Sequence, residues 1–136
     1  MMRTMLGGKI HRAHVTAADV HYVGSITVDA ALMAAAGMLP HERVQVVDVD
    51  NGARLETYAI PDAPGSGTIQ LNGAAAHLVA VGHRVIIMSY VQLEDAEARC
   101  WKPKVVLVDR ENRVEDVREG VPAGAPGNAP FGMDEC

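Results

Sequence analysis

The chain has 136 residues, the length of one ordinary domain, large enough to bury a core but too short to divide comfortably into two. Hydrophobic residues make up 49% and charged residues 21%, which excludes a largely disordered chain, and no apolar run is long enough for a membrane span. The net charge of −5, without any Lys/Arg cluster, argues against nucleic acid, so a small molecule or a protein is the expected partner. Arg3 and Lys9 are not followed by the apolar core of a signal peptide, and the two cysteines are Cys100 and Cys136. A reducing cytoplasm is the expected location.

In chain order, residues 4–16 alternate loosely between apolar side chains and His11, Arg12 and His14, which predicts a strand with one wet face. Asp29, the apolar run 30–36 and Gly37 predict a short helix, because Asp accepts from free N–H groups at the start and Gly tolerates the left-handed position past the end. Residues 43–50 and 53–60 are β-rich runs joined by Asn51 and Gly52, which predicts a hairpin with a type I′ turn. Pro61, Pro64, Gly65 and Gly67 break the chain into a loop. An extended run over 68–71 then leads to Asn72, a cap for a helical turn over 73–79. Residues 83–93 and 104–108 are further core strands, with a turn at Glu111 and Asn112 and a weaker extended piece beyond.

Six or seven short strands, two short inserted helices and no βαβ rhythm predict a mainly β domain. A small closed barrel is the natural solution, since closure removes exposed strand edges. The domain is placed at residues 1–117, and residues 118–136, rich in Gly, Pro and Ala, are read as a flexible tail.

Six histidines raise the question of a metal, but no Cys, His or carboxylate set completes a recognisable spacing, so none is expected. Cys100 lacks the pattern of a thiol enzyme and is expected to be a buried or edge thiol. Gly7, Gly8 and Lys9 lack the Ser/Thr that completes a phosphate loop, which leaves Lys9 as a strand cation on the face of His11. Arg54, Glu56 and Tyr58 share one face of the second hairpin strand, where an Arg and a Tyr could hold a carboxylate and move a proton. Alternation alone favours an exposed polar face over a site. Gly24 and Ser25 as a dipeptide indicate only a turn.

The neighbours of that dipeptide change its weight. RTML at 3–6, KIHRAHVT at 9–16, ADVHYVGSITVD at 18–29, NGARLETYAI at 51–60 and NGAAAHLV at 72–79 follow the order and spacing of the pyruvoyl-dependent aspartate 1-decarboxylases of bacteria, and the chain resembles that family. The resemblance implies a six-stranded double-psi β-barrel, a homotetramer with active sites near subunit boundaries, and self-cleavage between Gly24 and Ser25. It further implies that Ser25 becomes a pyruvoyl cofactor that forms a Schiff base with L-aspartate, without metal or pyridoxal phosphate, yielding β-alanine and CO2 for pantothenate synthesis. Tyr58 matches the proton donor and Thr57 the threonine that assists processing and lies by the substrate. Lys9 and Arg54 are the candidates for gripping carboxylate, and Asn72, Gly73, Ala74 and Ala75 match the substrate-contact segment. Tyr22 and His11 lie in matched segments as secondary candidates. A maturation factor is a further partner to consider. Thr57 and Tyr58 point to opposite faces of a regular strand, so serving one site requires a bulge, a twist or a subunit boundary. Two rivals are a non-catalytic β-barrel binding module and a hydrolase pairing Ser25 with His21.

Overall fold

A computed structural model describes residues 1–120. Its elements run β1 (Met2–His14), β2 (Ala17–Asp19), β3 (Ser25–Asp29), α1 (Ala30–Ala36), β4 (Arg43–Asp48), β5 (Arg54–Asp62), β6 (Ile69–Asn72), a 3-10 turn (Gly73–His77), β7 (Arg84–Glu94), α2 (Asp95–Arg99), β8 (Lys104–Val108) and β9 (Val114–Glu119). The strand order is β2-β6-β3-β5-β4-β7-β1-β8-β9. This ladder is open in its pairing, but β1 runs on into β2 through only Val15 and Thr16. The Thr16 amide donates to the Ile69 carbonyl at 2.8 Å, and the Ile69 amide donates back to Thr16 Oγ1 at 3.0 Å. Counting β1 and β2 as one continuous strand, β6, β3, β5, β4 and β7 complete a barrel-like ring, with β8 and β9 added along β1. The fold is mainly β, as the sequence predicts.

Strict alternation builds the interior. Ile26 and Val28 on β3, Val44 and Val46 on β4, Ile69 and Leu71 on β6, and Val85 and Ile87 on β7 are all buried. Each such side chain contributes about 2 kcal/mol on burial. The helix α1 covers one end with Leu32, Met33 and Ala36, and it packs against β1 and β8. Its caps are those predicted: Asp29 accepts from the Ala31 amide, and Gly37 is left-handed at φ 74. The two Asp29 oxygens also accept from the Gly65 and Gly67 amides, tying the proline and glycine loop to the helix start.

Three local expectations are corrected. The loop between β4 and β5 is not a type I′ turn, because only Gly52 there has positive φ. Buried Asp48 instead accepts from the Asp50 and Asn51 amides and winds a longer loop that closes from the Gly52 amide to the Asp48 carbonyl. Asn72 does not cap the 3-10 turn with its side chain. The short helix α2 and the strands β2 and β3 emerge in segments for which no such element was predicted. The strand β9 runs to Glu119 and Gly120 follows it, and residues 121–136 of the segment read as a tail lie outside the described residues. Among the described residues no helix is long and apolar enough to cross a membrane.

Candidate active site

Ser25 opens β3 directly across from Asn72, which ends β6, and Thr27 pairs with Gln70 in the same antiparallel ladder. Because side chains alternate, Ile26, Val28, Ile69 and Leu71 face the core while Ser25, Thr27, Gln70 and Asn72 share the other face. Ser25 and Asn72 are nonetheless fully buried. Buried polar groups need partners, and these four supply one another. Asn72 Nδ2 donates to Ser25 Oγ and to Thr27 Oγ1, both at 2.9 Å, and Gln70 Nε2 donates to Asn72 Oδ1 at 2.8 Å. The Ser25 hydroxyl itself donates to the Val23 carbonyl at 3.1 Å. The engaged amide explains why Asn72 makes no cap.

Gly73 follows Asn72 with φ of +66, and a Cβ there would lie 2.8 Å from Gly24 Cα and 3.2 Å from the Tyr22 carbonyl oxygen. Glycine is required twice over, by the left-handed backbone and by the approach of the 22–24 segment. Gly24 is exposed, and a Cβ on it would meet nothing within 4 Å. The close approach beside the Gly24–Ser25 bond therefore comes from Gly73.

A cavity of about 480 Å³ opens at this point, lined by Gly24, Leu55, Glu56, Thr57, Tyr58, Asn72, Ala74, Ala75 and Leu78. It resolves the opposition of Thr57 and Tyr58. The strand β3 begins at Ser25 and pairs with β5 only from Ile26 opposite Ala59 onward, whereas β4 pairs with β5 from Arg54 to Tyr58. Residues 55–58 of β5 thus have a free edge where β3 has not begun. The cavity fills that notch, so consecutive residues reach it from both faces.

Gly24, Thr57, Tyr58, Asn72, Ala74 and Ala75 are brought together, with Ser25 and Gly73 packed beside them. Lys9 and Arg54 are not. Lys9 lies on β1 opposite Met88, Met88 opposite Gln45, and Gln45 opposite Glu56, one row across the outside of the barrel. Three strand spacings put Lys9 roughly 14 Å from Glu56. Arg54 is exposed on the same outer face, with its guanidinium donating to Gln45 Oε1 at 3.3 Å. Tyr22 is 52% exposed, with its carbonyl beside Gly73, while His11 lies on β1 beside β8. Burial, and then the charges of Lys9 and Arg12, hold His11 below its ordinary value of 6.5.

Thr27 and Gln70 are the members of the polar cluster that sequence reasoning passed over. Their signal was the matched alternation of Ser-Ile-Thr-Val and Ile-Gln-Leu-Asn, which becomes informative once the two runs are known to pair. The Ser25 hydroxyl bonds to Val23 and Asn72 rather than to an imidazole, which removes support for a serine and histidine pair. Among the described residues Asp48, Asp50 and His83 bring potential metal-ligating atoms within 4.8 Å of one another. These atoms are engaged already: His83 Nδ1 meets Asp48 Oδ2 at 2.6 Å, and Asp50 accepts from the Arg84 amide and guanidinium. The cluster clamps the β4–β5 loop to the start of β7.

Residues 1–115 match the family model described as aspartate decarboxylase. Aspartate 1-decarboxylase of Carboxydothermus hydrogenoformans is 56% identical over 119 residues, covering 88% of this chain and 94% of that protein. Aspartate 1-decarboxylase of Corynebacterium efficiens is 58% identical over 126 residues, covering 93% and 91%, and that of Listeria monocytogenes is 58% identical over 115 residues, covering 85% and 91%. These matches make the chain an enzyme of the carboxy-lyase class, not a non-catalytic binding module. The chain belongs to the aspartate decarboxylase family.

Proposed function

We propose that the chain cuts itself between Gly24 and Ser25 and then decarboxylates L-aspartate to β-alanine and CO2, a step supplying pantothenate synthesis in the cytoplasm. The observation that carries this is the placement of Ser25: a fully buried hydroxyl, held by Asn72, directly after an exposed Gly24 at the cavity lined by Thr57 and Tyr58. Attack of Oγ on the Gly24 carbonyl forms an O–C bond, breaks the C–N bond and leaves the hydroxyl proton on the Ser25 nitrogen. Loss of the Cα proton then breaks the Cβ–Oγ bond, and Gly24 departs as a carboxylate. Water replaces nitrogen, ammonia leaves, and residue 25 ends as a pyruvoyl group. Fragments 1–24 and 25–136 result.

Ser25 and its surroundings fit such a group, since Gly73 leaves no side chain over Gly24 and Asn72 supplies an N–H at the site. Once formed, the group supplies a carbonyl that captures an amine and draws electrons from the adjacent breaking bond, so neither metal nor pyridoxal phosphate is required. Tyr58 delivers a proton to the carbon that loses CO2. Thr57 assists the cleavage and borders the substrate. Asn72 and the backbone of Gly73, Ala74 and Ala75 hold the substrate in place.

Lys9 and Arg54 grip carboxylate from a neighbouring subunit of a homotetramer. Their position on the outer face of their own barrel supports this arrangement, because a second copy could present that face to the notch. The test is turnover: purified protein given L-aspartate should release β-alanine and CO2 in equal amounts. Protein that cleaves itself but makes no β-alanine would overturn the substrate assignment.

A further inference from the structure

Within the polar cluster on β3 and β6, Gln70 lines no part of the cavity, yet it holds the neighbouring Asn72 amide by its oxygen. Asn72 has two possible orientations. In one, Nδ2 faces Ser25 and Thr27; in the other, Oδ1 does. Both hydroxyls can donate or accept, so they do not choose by themselves. The contact of Ser25 with Val23 chooses, and that of Gln70 holds the choice. Ser25 Oγ directs its hydrogen to the Val23 carbonyl, and Gln70 Nε2 donates to Asn72 Oδ1 at 2.8 Å, leaving both Asn72 N–H groups for the hydroxyls.

We propose that Gln70 is a positioning residue for self-cleavage: its amide N–H holds Asn72 Oδ1, so that Asn72 presents N–H groups to Ser25 Oγ and Thr27 Oγ1. This rests on the proposed cleavage between Gly24 and Ser25. Oγ carries partial negative charge as its proton leaves, before it bonds to the Gly24 carbonyl carbon, and the Asn72 N–H stabilises that charge while the proton passes on to the departing nitrogen. Thr27 accepts the second N–H and keeps the amide from rotating. With Asn72 reversed, Oδ1 would face Oγ and oppose the negative charge that develops there.

Glutamate at this position separates orientation from packing. A neutral glutamic acid donates to Asn72 Oδ1 as glutamine does. An ionised one only accepts, so it demands the Asn72 N–H and turns the amide over. Cleavage of Gln70→Glu, Gln70→Leu and unaltered chain is followed by intact mass from a freshly refolded state across a pH series, with thermal unfolding recorded for each. Gln70→Leu should cleave about tenfold more slowly at every pH, the value of one lost hydrogen bond. The rate of Gln70→Glu relative to the unaltered chain should be near one in acid and fall about tenfold as its carboxyl ionises. A flat ratio near one for Gln70→Glu across the series overturns the proposal, whether or not Gln70→Leu folds. An unaltered chain that stays whole overturns the self-cleavage on which the proposal rests, and the proposal with it.

Discussion

Asn72 Nδ2 donates to the Ser25 hydroxyl at 2.9 Å across a buried antiparallel pair, with both residues fully shielded from solvent. A side chain of similar size without donors, as in Asn72→Leu, leaves Ser25 and Thr27 without this partner. We expect a loss of about 1–3 kcal/mol in stability and a self-cleavage rate reduced by about tenfold to a hundredfold. Denaturant unfolding and fragment formation measured together would check both. Unchanged cleavage in a folded Asn72→Leu protein would remove Asn72 from the processing machinery.

Gly73 sits where a methyl group would press on the Gly24 backbone, in a left-handed conformation. Gly73→Ala should therefore displace the 22–24 segment. We expect about 1–3 kcal/mol of destabilisation and slower cleavage, because the strain falls beside the bond to be cut. Hydrogen exchange should show the loss of protection centred on residues 22–25 rather than spread through the barrel.

Arg54 lies on the outside of its own barrel, apart from the Tyr58 cavity. Arg54→Ala should impair aspartate turnover far more than self-cleavage. If a neighbouring subunit supplies this residue, mixing Arg54→Ala and Tyr58→Phe subunits should restore about a quarter of normal turnover, since random assembly gives that share of intact sites. Mixtures no more active than the separate variants would place Arg54 and Tyr58 in the service of the same chain's site.

His11 is held below its ordinary value, so the folded state favours the neutral ring. As pH falls, the unfolded chain takes up this proton first. The stability contribution is complete above 6.5 and is lost as pH falls through the lowered folded value. Comparing melting temperatures at about pH 7.5 and about pH 5.5, His11→Gln should lose less on acidification than the unaltered protein. An equal loss would assign the acid sensitivity elsewhere.

Helix α1 and the β4–β5 hairpin were legible because their punctuation is local: Asp29 and Gly37 act on adjacent backbone, and the runs flanking Asn51 and Gly52 have period two. The turn between β4 and β5 was misread because Asp48 dictates it, and that carboxylate is fixed from outside the hairpin by His83. Asn72 looks like a cap in one dimension; its true partners, Ser25 and Thr27, are distant in sequence. The same holds for the shared cavity of Thr57 and Tyr58, which depends on where β3 starts. Local chemistry could be read from the chain, whereas the site required knowledge of which strands meet.

The most direct measurement is the intact mass of the purified protein after incubation. We expect two fragments meeting at Gly24 and Ser25, the larger lighter by one ammonia than a chain beginning with serine. A chain that remains whole, or a larger fragment that keeps an ordinary N-terminal serine after prolonged incubation, would contradict the assignment of Ser25 as nucleophile and cofactor precursor.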